Sequence, residues 1–140
     1  MASWLIDTAV FKSLAPGERR TDSLRHWIET HEDAVFLSAA SIVELKAAIA
    51  KIPPSQAMRA EALTKWLDGL VTNFSDRIHP VDVKVAARAG ELMRDLRAGP
   101  VRHRFYDALL LATAQIFGHV LLTKRDAVFG SWANVKVASP

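Results

Sequence analysis

The sequence predicts an α/β fold, with a central parallel sheet of four to five strands flanked by helices. Three observations predict it. Short, continuously apolar runs of strand length, Trp4-Leu5-Ile6, Ala34-Val35-Phe36-Leu37 and Val120-Leu121-Leu122-Thr123, are separated by stretches of helical periodicity. Strands that alternate with helices imply right-handed crossovers, with helices on both faces of the sheet. The chain has 140 residues, 50% of them hydrophobic. That size suits one core that removes roughly two thirds of the unfolded surface from water, so residues 1–140 read as a single domain.

Trp4-Leu5-Ile6 is a buried-strand run that ends at Asp7-Thr8, which puts Asp7 at the strand's carboxyl end. After the Pro16-Gly17 break, Leu24, Trp27 and Ile28 follow helical spacing. Ala34 to Leu37 is the second strand, with Ser38 and Ser41 available as caps of the next helix. That helix carries Ile42, Leu45 and Ile49 on one face, while Glu44 is surrounded by Ala40, Ser41, Ala47 and Ala48, small residues that permit close approach. Beyond Pro53-Pro54, Leu63, Trp66, Leu67, Leu70 and Phe74 mark a longer amphipathic helix. Arg77 to Val81 reads as an edge strand because of Pro80. Val85, Ala89, Leu92, Met93 and Leu96 define another helix, closed by Gly99-Pro100. Phe105 to Phe117 is apolar on nearly every face, so it should lie buried against the sheet with Asp107 as its one acid. Val120 to Thr123 follows as a strand, Lys124-Arg125-Asp126 as a turn and Val135-Lys136-Val137 as a weak last strand.

Composition excludes several classes. With no cysteine there are no disulfides and no thiolate metal sites. No apolar run approaches the roughly 18 residues of a spanning helix, and a charge at Asp7 interrupts the start before a signal-peptide core develops. A soluble cytoplasmic protein is expected. The net charge of +3 permits a polyanionic partner without requiring one.

The chemistry concentrates in three acids set in apolar sequence: Asp7, Glu44 and Asp107. Sites in open α/β sheets lie beyond the carboxyl ends of strands, and this topology could bring all three there. An unpaired buried ion costs several kcal/mol, and a divalent cation is the simplest compensation. Each acid also has a plainer reading. Asp7 suits a helix N-cap. Ser41-Ile42-Val43-Glu44 spells a capping box. Asp107 falls in the first turn of its helix, where the macrodipole favours an anion by about 0.3 to 1 kcal/mol. Asp126 stands in a turn and is either a turn residue or a fourth ligand. His26, His31, His79, His103 and His119 show no paired metal spacing, which argues against zinc. An all-oxygen set suits Mg²⁺ or Mn²⁺. Arg102 and Arg104 precede Asp107, and Thr123, Lys124 and Arg125 precede Asp126. These are either solvated loop charges or, if the acids converge, groups that position the phosphates of RNA.

Taken together, the hydrophobic-Asp-Thr start, the Ser-x-x-Glu-Leu helix, the Asp-Ala-Leu-Leu-Leu-Ala-Thr-Ala run from Asp107 and the Leu-Leu-Thr before a basic turn resemble the PIN-domain family. Within it they are similar to VapC-type toxins of bacterial toxin–antitoxin pairs, as is Arg77-Ile78-x-Pro80-Val81-Asp82 with the helix after it. The resemblance covers essentially the whole chain. It implies a metal-dependent ribonuclease whose acidic cluster matches Asp7, Glu44 and Asp107, with products ending in 5′-phosphate and 3′-hydroxyl. It also implies an antitoxin partner that inserts a segment beside the acids, and a homodimer. Trp27 and Trp66 suit core and interface equally.

Two positions depart from the family pattern. Ala9 stands where an asparagine commonly braces the site, and Asp126 is one place out of register, with Val128 where a later acid is expected. These departures keep a second class open, a noncatalytic PIN-fold protein that binds a partner or nucleic acid. A phosphoryl-transfer or signalling domain is disfavoured, because the chain lacks both an adjacent acidic pair and an Asp-x-Asp motif.

Overall fold

Five parallel strands form one sheet in the order β3-β2-β1-β4-β5. The computed structural model describes residues 2–18, 22–96, 101–124 and 135–137, with 101–103 and 135–137 described by their backbone. The strands are β1 (Trp4–Ile6), β2 (Val35–Ser38), β3 (Ile78–His79), β4 (Val120–Thr123) and β5 (Val135–Val137). The helices are α1 (Thr8–Lys12), α2 (Asp22–Thr30), α3 (Ala39–Ala50), α4 (Ala57–Asn73), α5 (Val83–Met93) and α6 (Val101–Phe117). β1 is central, in register with β2 through Leu5 and Phe36 and with β4 through Leu5 and Leu121. The chain winds outward from β1 to β2 and β3, then returns to β1's other side as β4 and β5. The strand order therefore reverses between β1 and β4.

The continuously apolar runs are explained by burial on both faces, because successive strand side chains point to opposite sides. Leu5 and Leu121 pack with Val85, Ala89, Leu92 and Leu110 beneath α5 and α6. Ile6, Leu37 and Leu122 pack on the other face with Val10, Phe11, Leu24 and Ile28. The middle of α6, Ala108 to Ala114, is buried throughout. Its ends are not: Phe105, Ile116 and Phe117 are exposed, so the expectation of a helix buried along its length holds only for the centre.

Several boundaries differ from the sequence reading. Ala34 belongs to a 3₁₀ turn and β2 starts at Val35. β3 is two residues long, at the sheet edge, and ends before Pro80. α3 begins at Ala39 with Ser38 as its N-cap, the Ser38 hydroxyl accepting from Ala40 N at 3.0 Å. Ser41 is thus the third residue of the helix, and the capping box expected of Ser41 and Glu44 does not form. α6 starts at Val101, so Asp107 lies in its second turn, beyond the strongest field of the helix end. Gly99-Pro100, Arg125, Asp126 and Val128 fall outside the described residues.

At the amino ends of β1 and β4 lies a feature that sequence spacing did not reveal. Gly118 ends α6 with a left-handed φ of 71°, which glycine adopts without strain, and His119 N closes the helix by donating to Ala114 O at 2.8 Å. His119, 5% exposed, then meets His79 with an Nε2 to Nε2 distance of 2.7 Å. Its Nδ1 lies 2.5 Å from Ser3 Oγ. Phe36 stacks on both imidazoles and Phe117 on His79 at a centroid distance of 3.8 Å. The pair joins β3 to the α6–β4 corner across β2 and β1.

Candidate active site

The reversal of strand order between β1 and β4 opens a crevice at their carboxyl ends, the usual site position in an open α/β sheet. Asp7 immediately follows β1, and its backbone N donates to Leu122 O of β4 at 3.0 Å. It occupies the N-cap position of α1, yet its side chain makes no capping bond. Instead Oδ2 accepts from Thr123 Oγ1, at the end of β4, at 2.8 Å. Both residues are 0% exposed. A hydrogen bond to a buried carboxylate offsets part of its desolvation, so Thr123 holds Asp7 in the crevice. The Thr123 hydroxyl, expected to face RNA, is turned inward to this acid.

Glu44 comes from α3 and stands half-buried, its Oε1 accepting from Thr8 Oγ1 at 2.8 Å. Asp107 comes from α6 and is 3% exposed. Asp7, Glu44 and Asp107, from three separate elements, line one cleft of about 410 Å³. Lys12 and Ala9 share its wall. At Ala9 the wall presents a methyl group.

Lys12 was not singled out by the sequence. Its signal lay in the short helix α1, which turns a residue five places after Asp7 back over the same cleft. Among the predicted basic residues, Lys124 is exposed, while Arg104 is half-buried with an Nε that has no hydrogen-bond partner among the described residues. The Arg102 side chain, Arg125 and Asp126 lie outside the described residues. Among those described, no three His, Asp or Glu side chains stand close enough to hold one ion between them.

A second, apolar depression of about 110 Å³ adjoins the cleft and shares Lys12, Leu45 and Ala48 with it. Ile49, Leu63 and Trp66 of α3 and α4 line it, with Arg59 and Glu18 among its polar groups.

The PIN-domain profile matches residues 4–134. The chain belongs to the PIN-domain family. Among solved structures, this PIN domain is similar to the FitAcB crystal structure from Neisseria gonorrhoeae, with 25% identity and a TM-score of 0.74, covering 98% of this chain and 97% of that one. The DNA-bound VapBC of Salmonella typhimurium matches at 16% identity and a TM-score of 0.74, over 99% and 98% of the two chains. A toxin–antitoxin complex from Klebsiella pneumoniae matches at 20% identity and a TM-score of 0.71, over 96% of each. No curated relative matches the chain. Among the described residues, no helix is long and apolar enough to cross a membrane.

Proposed function

We propose that this PIN domain is an Mg²⁺- or Mn²⁺-dependent endoribonuclease, the toxin of a type II toxin–antitoxin pair, that hydrolyses RNA phosphodiester bonds. The observation that carries the reading is the shared cleft of Asp7, Glu44 and Asp107 at the strand-order reversal. Three carboxylates in one crevice form an all-oxygen donor set, which fits hard cations of this kind. Mg²⁺ characteristically binds one or two carboxylates and keeps several waters. One or two of Asp7, Asp107 and Glu44 would therefore hold the ion directly and the rest through its waters, with Asp126 as a further candidate. When bound, such an ion supplies a Lewis acid that lowers the pKa of water and offsets charge developing on the phosphoryl oxygens.

The remaining work falls to the chain. Thr123 orients Asp7, and the cleft walls fix where a scissile phosphate can sit. Lys12 offers it a cation at close range, while Arg104 and Lys124, with Arg102 and Arg125, position flanking phosphates. Such contacts hold register and carry no base information.

The similar structure from Klebsiella pneumoniae is a toxin–antitoxin complex, which supports a cognate antitoxin as partner. The apolar depression beside the acids suits an inserted segment of that partner. Exposed Val43 and Phe105 suit homodimerisation through helices. We place the protein in the cytoplasm, where RNA is available.

The test is incubation of purified, antitoxin-free protein with total bacterial RNA in Mg²⁺, Mn²⁺ or EDTA, beside D7N and D107N. Discrete metal-dependent cuts absent from both variants are expected. Folded, metal-supplied protein that makes none would favour the second reading, a noncatalytic PIN-fold binder of a partner or nucleic acid, for which Ala9 in the cleft wall is the specific observation.

A further inference from the structure

Glu44 is held by a hydroxyl with only one proton to give. Thr8 Oγ1 lies 2.8 Å from Glu44 Oε1 and 2.7 Å from Ser41 Oγ. A hydroxyl has one O–H and two lone pairs, so Thr8 cannot donate to both. An ionised carboxylate only accepts, and a bond to it is roughly twice as strong as a neutral one. Thr8 therefore donates to Glu44, and Ser41 donates to Thr8. The order Ser41, Thr8, Glu44 gives each proton one destination.

The placement of the three residues gives this order a role. Ser41 and Glu44 lie three residues apart, on one face of α3. Thr8 opens α1 directly after Asp7, so its hydroxyl ties the helix bearing Glu44 to the strand end bearing Asp7. Ser41 is 0% and Thr8 7% exposed, whereas Glu44 reaches the cleft. The donors are thus shielded from competing water, while the acceptor they fix stands at the cleft wall. The Ser-x-x-Glu spacing supplies two members of a relay completed by another helix.

We infer that Ser41 and Thr8 are positioning residues that fix the Glu44 carboxylate and thereby set the affinity of the cleft for a divalent cation. This rests on the metal-site reading above. A free glutamate must lose rotamer freedom to bind an ion; the relay removes that freedom beforehand. Outer-shell partners of metal-binding groups commonly change affinity by about 10- to 100-fold.

The experiment measures Mn²⁺ affinity of the full chain by electron paramagnetic resonance of the free ion, with thermal unfolding beside it. T8V keeps the volume of Thr8 and removes its hydroxyl; T8S keeps the hydroxyl. T8V is expected to bind Mn²⁺ about 10-fold or more weakly, and T8S within about threefold of wild type. S41A, which removes only the donor to Thr8, is expected to lose about fivefold and carries the test should T8V not fold. Wild-type affinity in T8V or S41A, beside weakened binding in E44Q, overturns the relay alone. So does a T8S variant no better than T8V. A wild-type protein that binds no Mn²⁺, or an E44Q variant that binds it normally, overturns the metal-site reading and the relay with it.

Discussion

Acid should unlock the end of the sheet opposite the carboxylate cleft, through His119. Burial, and then the charge of His79, push the His119 pKa from 6.5 down to about 4, and burial lowers His79 as well. The folded state therefore binds fewer protons than the unfolded chain between those values. Stability from the neutral imidazole is complete above about pH 6.5 and is lost as pH falls toward 4. Each tenfold difference in proton affinity is worth about 1.4 kcal/mol, so the loss is about 2 kcal/mol between pH 7 and pH 5 and about 3 kcal/mol by pH 4. Nε2 faces Nε2 at 2.7 Å with room for one proton between them, so the two rings cannot both be protonated in this geometry. H119F keeps a flat ring beside Phe36 and does not titrate. It gives up the bonds to His79 and Ser3, worth about 1 kcal/mol each at any pH. Wild type should thus be more stable than H119F by about 2 kcal/mol at pH 7, and the two should converge near pH 5. Urea unfolding at half-unit pH steps reads the gap directly. For a chain of this size the convergence corresponds to about 4 to 8 °C in Tm. A gap that stays constant from pH 7 to pH 5 would refute the assignment.

At the carboxylate cleft, D107N should reduce RNA cleavage by more than about 100-fold, since removing a ligand costs more than removing its outer-shell partner; gel analysis of single-turnover cleavage, with circular dichroism to verify the fold, checks this. Mg²⁺ at about ten times its Kd should stabilise the wild type by about 1.4 kcal/mol and D107N by much less, read as a thermal shift against EDTA. K12A should weaken RNA binding, lower the slope of log affinity against log salt by about 1, and also slow cleavage at saturating RNA, because its charge faces the reacting phosphate. In the core, L110A empties a fully buried site beneath the sheet and should cost about 2 to 5 kcal/mol, measured by denaturant unfolding, with the pH dependence of His119 unchanged.

The apolar runs at Trp4, Val35 and Val120 were legible because a strand buried on both faces leaves no polar alternation to confuse it with a surface strand. Asp7 was legible as a site residue for the same reason: it is the first charge after such a run. Glu44 was harder. Its Ser-x-x-Glu spacing has a local explanation, the capping box, and only the start of α3 at Ala39 removes it. The partner that replaces the cap is Thr8, 36 positions away, and no local pattern encodes that distance. Asp107 was seen, but its place in the helix was misjudged because Val101 to Arg104 carry too little apolar periodicity to mark the first turn. Lys12 and the His79–His119 pair were missed for one common reason. Each is brought to its neighbours by a chain reversal, a five-residue helix in one case and a glycine-ended helix in the other, and the sequence shows the reversal without its angle.

The hydroxyls around the acids lower the cost of burying carboxylates in the cleft. Buried carboxylates destabilise a fold unless their lone pairs are met, and a neutral hydroxyl meets a lone pair without adding a charge of its own. Thr123 gives its proton to Asp7 and Thr8 gives its own to Glu44, each from a buried position. Both lower the cost of burying the carboxylate while adding no charge of their own. The parallel sheet makes this arrangement available, because strand ends flanking the reversal bring Thr123 beside Asp7, and the next helix starts at once with Thr8. On this argument the residues that make the site foldable are the same ones that keep it attractive to a cation. Exchanging Thr8 or Thr123 for valine should therefore disturb stability and cation affinity together, whereas exchanging Leu110 should disturb stability alone.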